Sequence, residues 1–192
     1  MRPLLFILAM TAVLSSTVCG QMTKYRNNVL SSLIEDKTDE VYYGFRKMDY
    51  SDIDAVIIHS TYYIGSDSFN IDGIMKQFKR YKVGAHYIIG RDGTVYKTID
   101  ENNIAYHAGK SHILGENSSK SVNSRSIGIE IINSPSQPPT QAQYRSLLIL
   151  VEDIRSRYPI KHILGHCDIA PGRKTDPWSF NWETFRNNLS KE

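Results

Sequence analysis

Three short runs constrain this chain most: "AVIIHST" at 55–61, "SIGIEIIN" at 126–133 and "IKHILGH" at 160–166. Each is dominated by Ile, Val or Leu, and each is too short to close a helix of useful length. Apolar β-formers bounded by polar residues read as buried strands. A polar side chain inside such a run is costly to bury unless it is paired or faces a cavity. His59, Glu130 and His166 are therefore the residues to follow.

The intervening segments change period. "FNIDGIMKQFKRY" puts Phe69, Ile74, Phe78 and Tyr81 at near-helical spacing, which predicts an amphipathic helix with "KQFKRYK" on its solvated side. Thr140 and Gln143 form a capping box ahead of Tyr144, Leu147, Leu148, Val151 and Ile154, the clearest helix in the chain. In "GAHYIIGRDGTVYKTI" two β-rich runs flank Arg91-Asp92-Gly93, the signature of a hairpin. The long polar stretch from Glu101 to Ser124 reads as a surface loop. Strands alternating with helices give an α/β fold with a central mixed β-sheet flanked by α-helices.

The chain has 192 residues, 41% hydrophobic and 22% charged, which fits one globular domain. Its net charge of +3 is too small and too dispersed to argue for nucleic acid. Residues 1–20 join Arg2 to the apolar run "PLLFILAMTAVL" and a small-residue end, the pattern of a cleaved signal peptide, with a lipoprotein anchored through Cys19 as the rival reading. From this follow the expectations of a secreted or periplasmic protein without a stable membrane span, and of a monomer. Residues 21–52 read as an N-terminal arm with one short helix near "NNVLSSLIED", and residues 53–192 as the main domain, which carries the chemistry described next.

The chemistry gathers in "GHCDIAPGRKTDPW" at 165–178. His59 and His166 each stand at a strand end, and Asp176 follows ten positions after His166. On neighbouring strands the three would converge as two imidazoles and a carboxylate, the open ligand set of catalytic zinc. Taken singly, each histidine reads rather as a hydrogen-bonded structural residue, and its place at a strand end is what shifts the balance. Lys174, two residues before Asp176, points the same way on an extended segment and could face developing negative charge. Glu130 reads as a general base, with a plain ion pair as its alternative. Cys167 reads as a small core residue, because neighbours on an extended chain point apart.

These residues, with "GAHYIIGRDGTVYKTIDENNIAYHAG", resemble the zinc-dependent N-acetylmuramoyl-L-alanine amidases of type 2, in the family's order over roughly residues 53–182. That family shares its fold with the peptidoglycan recognition proteins and the phage T7-type lysozyme. The resemblance implies Zn2+ on His59, His166 and Asp176, Glu130 as general base, Lys174 at the oxyanion, and His107 and Tyr106 beside the substrate cleft. It implies peptidoglycan or muropeptides as partner. The wide spacing from His166 to Asp176 is similar to the compact bacterial amidases that act on anhydromuropeptides. Tyr106 departs from the Trp common at its position, which implies an altered cleft wall. The alternative on the same fold is a non-catalytic peptidoglycan-binding receptor, which should lack part of the metal set.

Overall fold

The computed structural model describes residues 21, 24, 28–47, 52–116 and 118–189. The leader expected at residues 1–20 lies outside them. The chain divides at Ser32. In the first unit, residues 28–32 are helical, where the short helix was expected. The second unit, Leu33–Glu192, carries everything that follows.

Eight strands are present among the described residues: β1 (Ile34–Asp36), β2 (Phe45–Lys47), β3 (Ala55–Thr61), β4 (Tyr87–Ile89), β5 (Val95–Lys97), β6 (Asn103–Ala105), β7 (Ser126–Ile132) and β8 (His162–Gly165). Six of them form one sheet in the order β1-β5-β4-β7-β3-β8, while β2 and β6 pair separately. The sheet is mixed: β4, β7, β3 and β8 run parallel to their neighbours, and only β4 against β5 is antiparallel. That antiparallel pair is the expected hairpin, and its turn needs Gly93 at φ 95°, a conformation side chains resist. The Asp92 carboxylate closes the turn by accepting from the Thr94 backbone N–H at 3.0 Å.

The segment read as an N-terminal arm supplies β1 to the edge of the main sheet and β2 to the small one. The stretch read as a surface loop likewise contains β6, and buries Ile104, Ala105, Ala108 and Ile113. All three strands are three residues long, and such strands are defined by their partners more than by their own pattern.

All seven residues of β3 are buried, as a strand enclosed on both faces requires. One face of the sheet is covered by α1 (Ile71–Tyr81), whose Ile74 and Phe78 pack with Ile88 and Ile132. The same face, further along, carries Ala55 and Ile57 against Ala108, Ile113, Val122 and Ile169. The opposite face belongs to α2 (Gln141–Arg157), whose Leu147, Leu150, Val151 and Ile154 are fully buried. Its capping box forms as expected, and Gln143 also donates to the carbonyls of Ile89 and Ile132, locking the helix start to the sheet. Tyr81, expected on the apolar face of α1, is 61% exposed: the helix stops there because Lys82 turns left-handed at φ 54°. Two short helices complete the chain, α3 (His166–Ile169) and α4 (Trp182–Leu189). No helix among the described residues is long and apolar enough to cross a membrane.

Candidate active site

Strand register builds the site. His59 on β3 pairs with Glu130 on β7, and Ile58 pairs with Gly165, the last residue of β8. His166 follows Gly165 directly and opens α3 rather than ending the strand. Three parallel neighbours therefore deliver two imidazoles and a carboxylate to one level at their carboxyl ends, where open α/β sheets hold ligands.

Asp176 joins them from the loop after α3. Its backbone carbonyl accepts from Cys167 N–H at 2.8 Å, which folds the loop back onto α3. The Trp178 N–H donates to Ser60 Oγ at 3.0 Å, pinning the far side of the loop to β3. The result is a tight triangle. His59 Nδ1 lies 2.9 Å from His166 Nδ1, Asp176 Oδ2 lies 3.2 Å from His166 Nδ1, and 3.5 Å separates it from His59 Nδ1.

The donor set fits zinc. Ligands bound at 2.0–2.1 Å in a tetrahedron stand about 3.3 Å apart, and the three observed edges bracket that value. His166 Nε2 donates to the Ala108 carbonyl at 3.2 Å, so its Nδ1 offers a lone pair to the centre. All three residues are buried. Lone pairs crowded this closely in a dry site repel one another unless a cation lies between them.

The electrostatics agree with that reading. Burial holds the His59 imidazole down at about 4, with the Asp176 hydrogen bond opposing the shift. Burial pushes the Asp176 carboxyl up, but hydrogen bonds to His166 and His59 outweigh it and hold the group well below the usual carboxylate range. Burial pushes Glu130 up to about 8, the Asp176 charge adding to the shift and Lys174 opposing it. The Glu130 residue is half-buried, yet its Oε2 atom is buried and without a hydrogen-bond partner. Among the described residues no ion pair to Glu130, the alternative considered for it, is present.

A cleft of 220 Å3 opens onto this centre, lined by Ser60, Phe78, Tyr106, Glu130, Lys174 and Trp178 among others. Lys174 is exposed at its mouth, and Tyr106 is 36% exposed. His107, expected beside the substrate, lines the same cleft, is 8% exposed and sits with Nδ1 2.9 Å from His59 Nε2. Cys167, read as core, is a free and half-buried thiol on α3. Sequence reasoning did not find Ser60, Ser126 or the Ala108 carbonyl. Ser126 had a signal, since it is a polar residue at the head of an otherwise apolar strand; the carbonyl had none.

The chain belongs to the N-acetylmuramoyl-L-alanine amidase family, whose pattern it matches over residues 49–179. The 1,6-anhydro-N-acetylmuramyl-L-alanine amidase AmpD of Escherichia coli K12 is 40% identical over 114 residues, 58% of this chain and 61% of that protein. The chain thus spans about three fifths of the length of the curated relatives it matches. Among solved structures, AmpDh3 from Pseudomonas aeruginosa, in complex with anhydromuramic pentapeptide, superposes with a TM-score of 0.60 at 25% identity, over 77% of this chain and 64% of that one. The peptidoglycan recognition protein PGRP-SA of Apis mellifera shares the fold at 17% identity, with a TM-score of 0.58 over 80% of this chain and 94% of that one.

One expectation is overturned by these likenesses. The sequence made this a secreted or periplasmic protein, whereas the AmpD relatives it matches are cytoplasmic amidases of anhydromuropeptides. That location is not retained. The leader pattern on which it rested, including Cys19, lies outside the described residues.

Proposed function

We propose that this chain is a zinc-dependent amidase that hydrolyses the amide between N-acetylmuramic acid, in its anhydro form, and L-alanine. The observation that carries this is the convergence of His59 Nδ1, His166 Nδ1 and Asp176 Oδ2 beside the unpartnered Glu130 carboxylate. The 1,6-anhydro-N-acetylmuramyl-L-alanine amidase AmpD, and the anhydromuramic pentapeptide held by AmpDh3, support the substrate class.

His59, His166 and Asp176 would hold the zinc ion, which supplies Lewis acidity that polarises the scissile carbonyl and makes water more acidic. The remaining work falls to side chains of this chain. Glu130 takes a proton from the attacking water as the new C–O bond forms, and gives it to the nitrogen as the C–N bond breaks. Lys174, at the cleft mouth, balances charge gathering on the carbonyl oxygen. Trp178 packs edge-on against Tyr62 at 5.7 Å, and with Tyr106 and Phe78 gives an aromatic wall suited to the faces of a sugar.

The test is mass spectrometry of products from an anhydromuropeptide, with chelator and with zinc restored. A free stem peptide bearing an L-alanine amine, lost on chelation and regained with zinc, is the expected result. Intact muropeptide under every condition would overturn the proposal in favour of a binding protein.

A further inference from the structure

A buried chain of hydrogen bonds leads away from the proposed zinc ligands. His59 turns Nδ1 towards His166 and Asp176, and Nε2 towards His107 Nδ1 at 2.9 Å. His107 Nε2 lies 3.2 Å from Ser126 Oγ, whose hydroxyl donates to the Val122 carbonyl at 2.6 Å. A carbonyl only accepts, so the single proton of Ser126 is used there, and its oxygen is left to accept from His107. His107 therefore carries its proton on Nε2 and has a bare lone pair on Nδ1. Only one arrangement then satisfies the next link: His59 donates from Nε2, and its own Nδ1 is free to bind a cation.

We propose that His107 is a positioning residue, which fixes His59 in the tautomer and ring orientation that present Nδ1 to zinc. The inference rests on the zinc reading above. Two further observations support it. A Cβ at position 128 would fall on the His107 ring, so Gly128 leaves room for the imidazole beside β7. The next residue, Ala108, accepts from His166 Nε2 and from Arg173 Nη2, both at 3.2 Å. Two consecutive residues thus orient both histidines, and Ala108 is seated by packing with Ile57 and Ile169.

The test is the zinc Kd, by chelator competition, of the wild type, His107→Ala, His107→Asn and Ser126→Ala, together with long-range 1H–15N correlation of the histidine rings in the zinc-loaded wild type. Loss of such an outer partner weakens metal binding about 10–100-fold, which is expected for His107→Ala. His107→Asn, whose Oδ1 stands near the place of Nδ1, should recover part of that loss. Ser126→Ala should weaken binding less, and it keeps the ring in place should His107→Ala fail to fold. The spectrum should show His107 protonated on Nε2. Unchanged zinc Kd with a raised KM in His107→Ala would make the residue a cleft wall and overturn the inference. A His107 protonated on Nδ1 would overturn it as well. A wild type that takes up no zinc would fail differently, removing the zinc reading and this inference together.

Discussion

Replacing Glu130 with Gln should sharply lower turnover while stabilising the metal-free protein, and the size of the second effect follows from the site. The carboxyl is held up at about 8 by burial, against an ordinary value of 4.5. Below pH 4.5 both the folded and the unfolded states are protonated and the group contributes no difference. As the pH rises, the unfolded state ionises while the folded state keeps its proton, so folding loses ground until the pH reaches the folded value. Each pH unit in that interval costs about 1.4 kcal/mol, which makes the loss at pH 7 about 3 kcal/mol. Glutamine has nearly the same shape and cannot ionise, so Glu130→Gln should recover that amount at pH 7 and almost none at pH 4.5. Urea midpoints of chelator-stripped wild type and variant at the two pH values measure the difference. Turnover on a muropeptide should fall about 10²–10⁴-fold. Equal midpoints at pH 7 would mean that the carboxylate ionises freely in the fold, and a rate within tenfold of wild type would mean that another group carries the proton.

Other perturbations test different parts of the structure. Lys174→Ala should keep full zinc content and lower kcat by about 10²-fold, as removal of an oxyanion partner does, and an unchanged kcat would leave the lysine as a solvated surface group. Ile57→Ala empties part of the core beneath Ala108 and should cost about 2–5 kcal/mol in a denaturant melt; a loss under 1 kcal/mol would mean the cluster does not pack as described. Glu101 is buried, and although burial opposes it, the Arg157 hydrogen bond, with Tyr87 and Tyr158 helping, holds its carboxyl below the usual 4.5. Its stabilisation is present above that value and is lost as the pH falls towards the lower folded one. The advantage of wild type over Glu101→Gln should therefore shrink in melts below pH 4.5, and a difference constant down to pH 2 would contradict the pairing.

Much of this was visible in the sequence because the central strands carry their own evidence. A run such as "SIGIEII" has no solvent face to satisfy, so its composition alone marks it as buried, and the one carboxylate within it stands out. The helix at 141–157 announced itself through Thr140 and Gln143, whose capping bonds involve only local atoms. The three-residue strands β1, β2 and β6 lack such evidence. They extend because a partner lies alongside, and the β1 partner Val95 is about sixty residues away from Ile34 in sequence. His107 shows the same limit at the level of a side chain. Its sequence neighbours describe a polar loop, and its hydrogen-bond partner His59 lies 48 positions earlier.

The register of β7-β3-β8 explains why the proposed metal ligands and the proposed proton carrier share one site. His59 and Glu130 are direct partners across parallel strands, so any movement that shifts one against the other must break a ladder whose residues are nearly all fully buried. His166 is tied to the same level through Gly165, and a Cβ at that glycine would meet the Pro177 ring that follows Asp176. The donor triangle and the carboxylate therefore share one rigid frame, while Lys174 and Tyr106 sit on loops at the cleft mouth. A stiff frame suits groups whose separations must be held to a few tenths of an ångström. A rim residue can differ, as Tyr106 does relative to the Trp common in the family, without disturbing the frame that holds the donor triangle and the carboxylate.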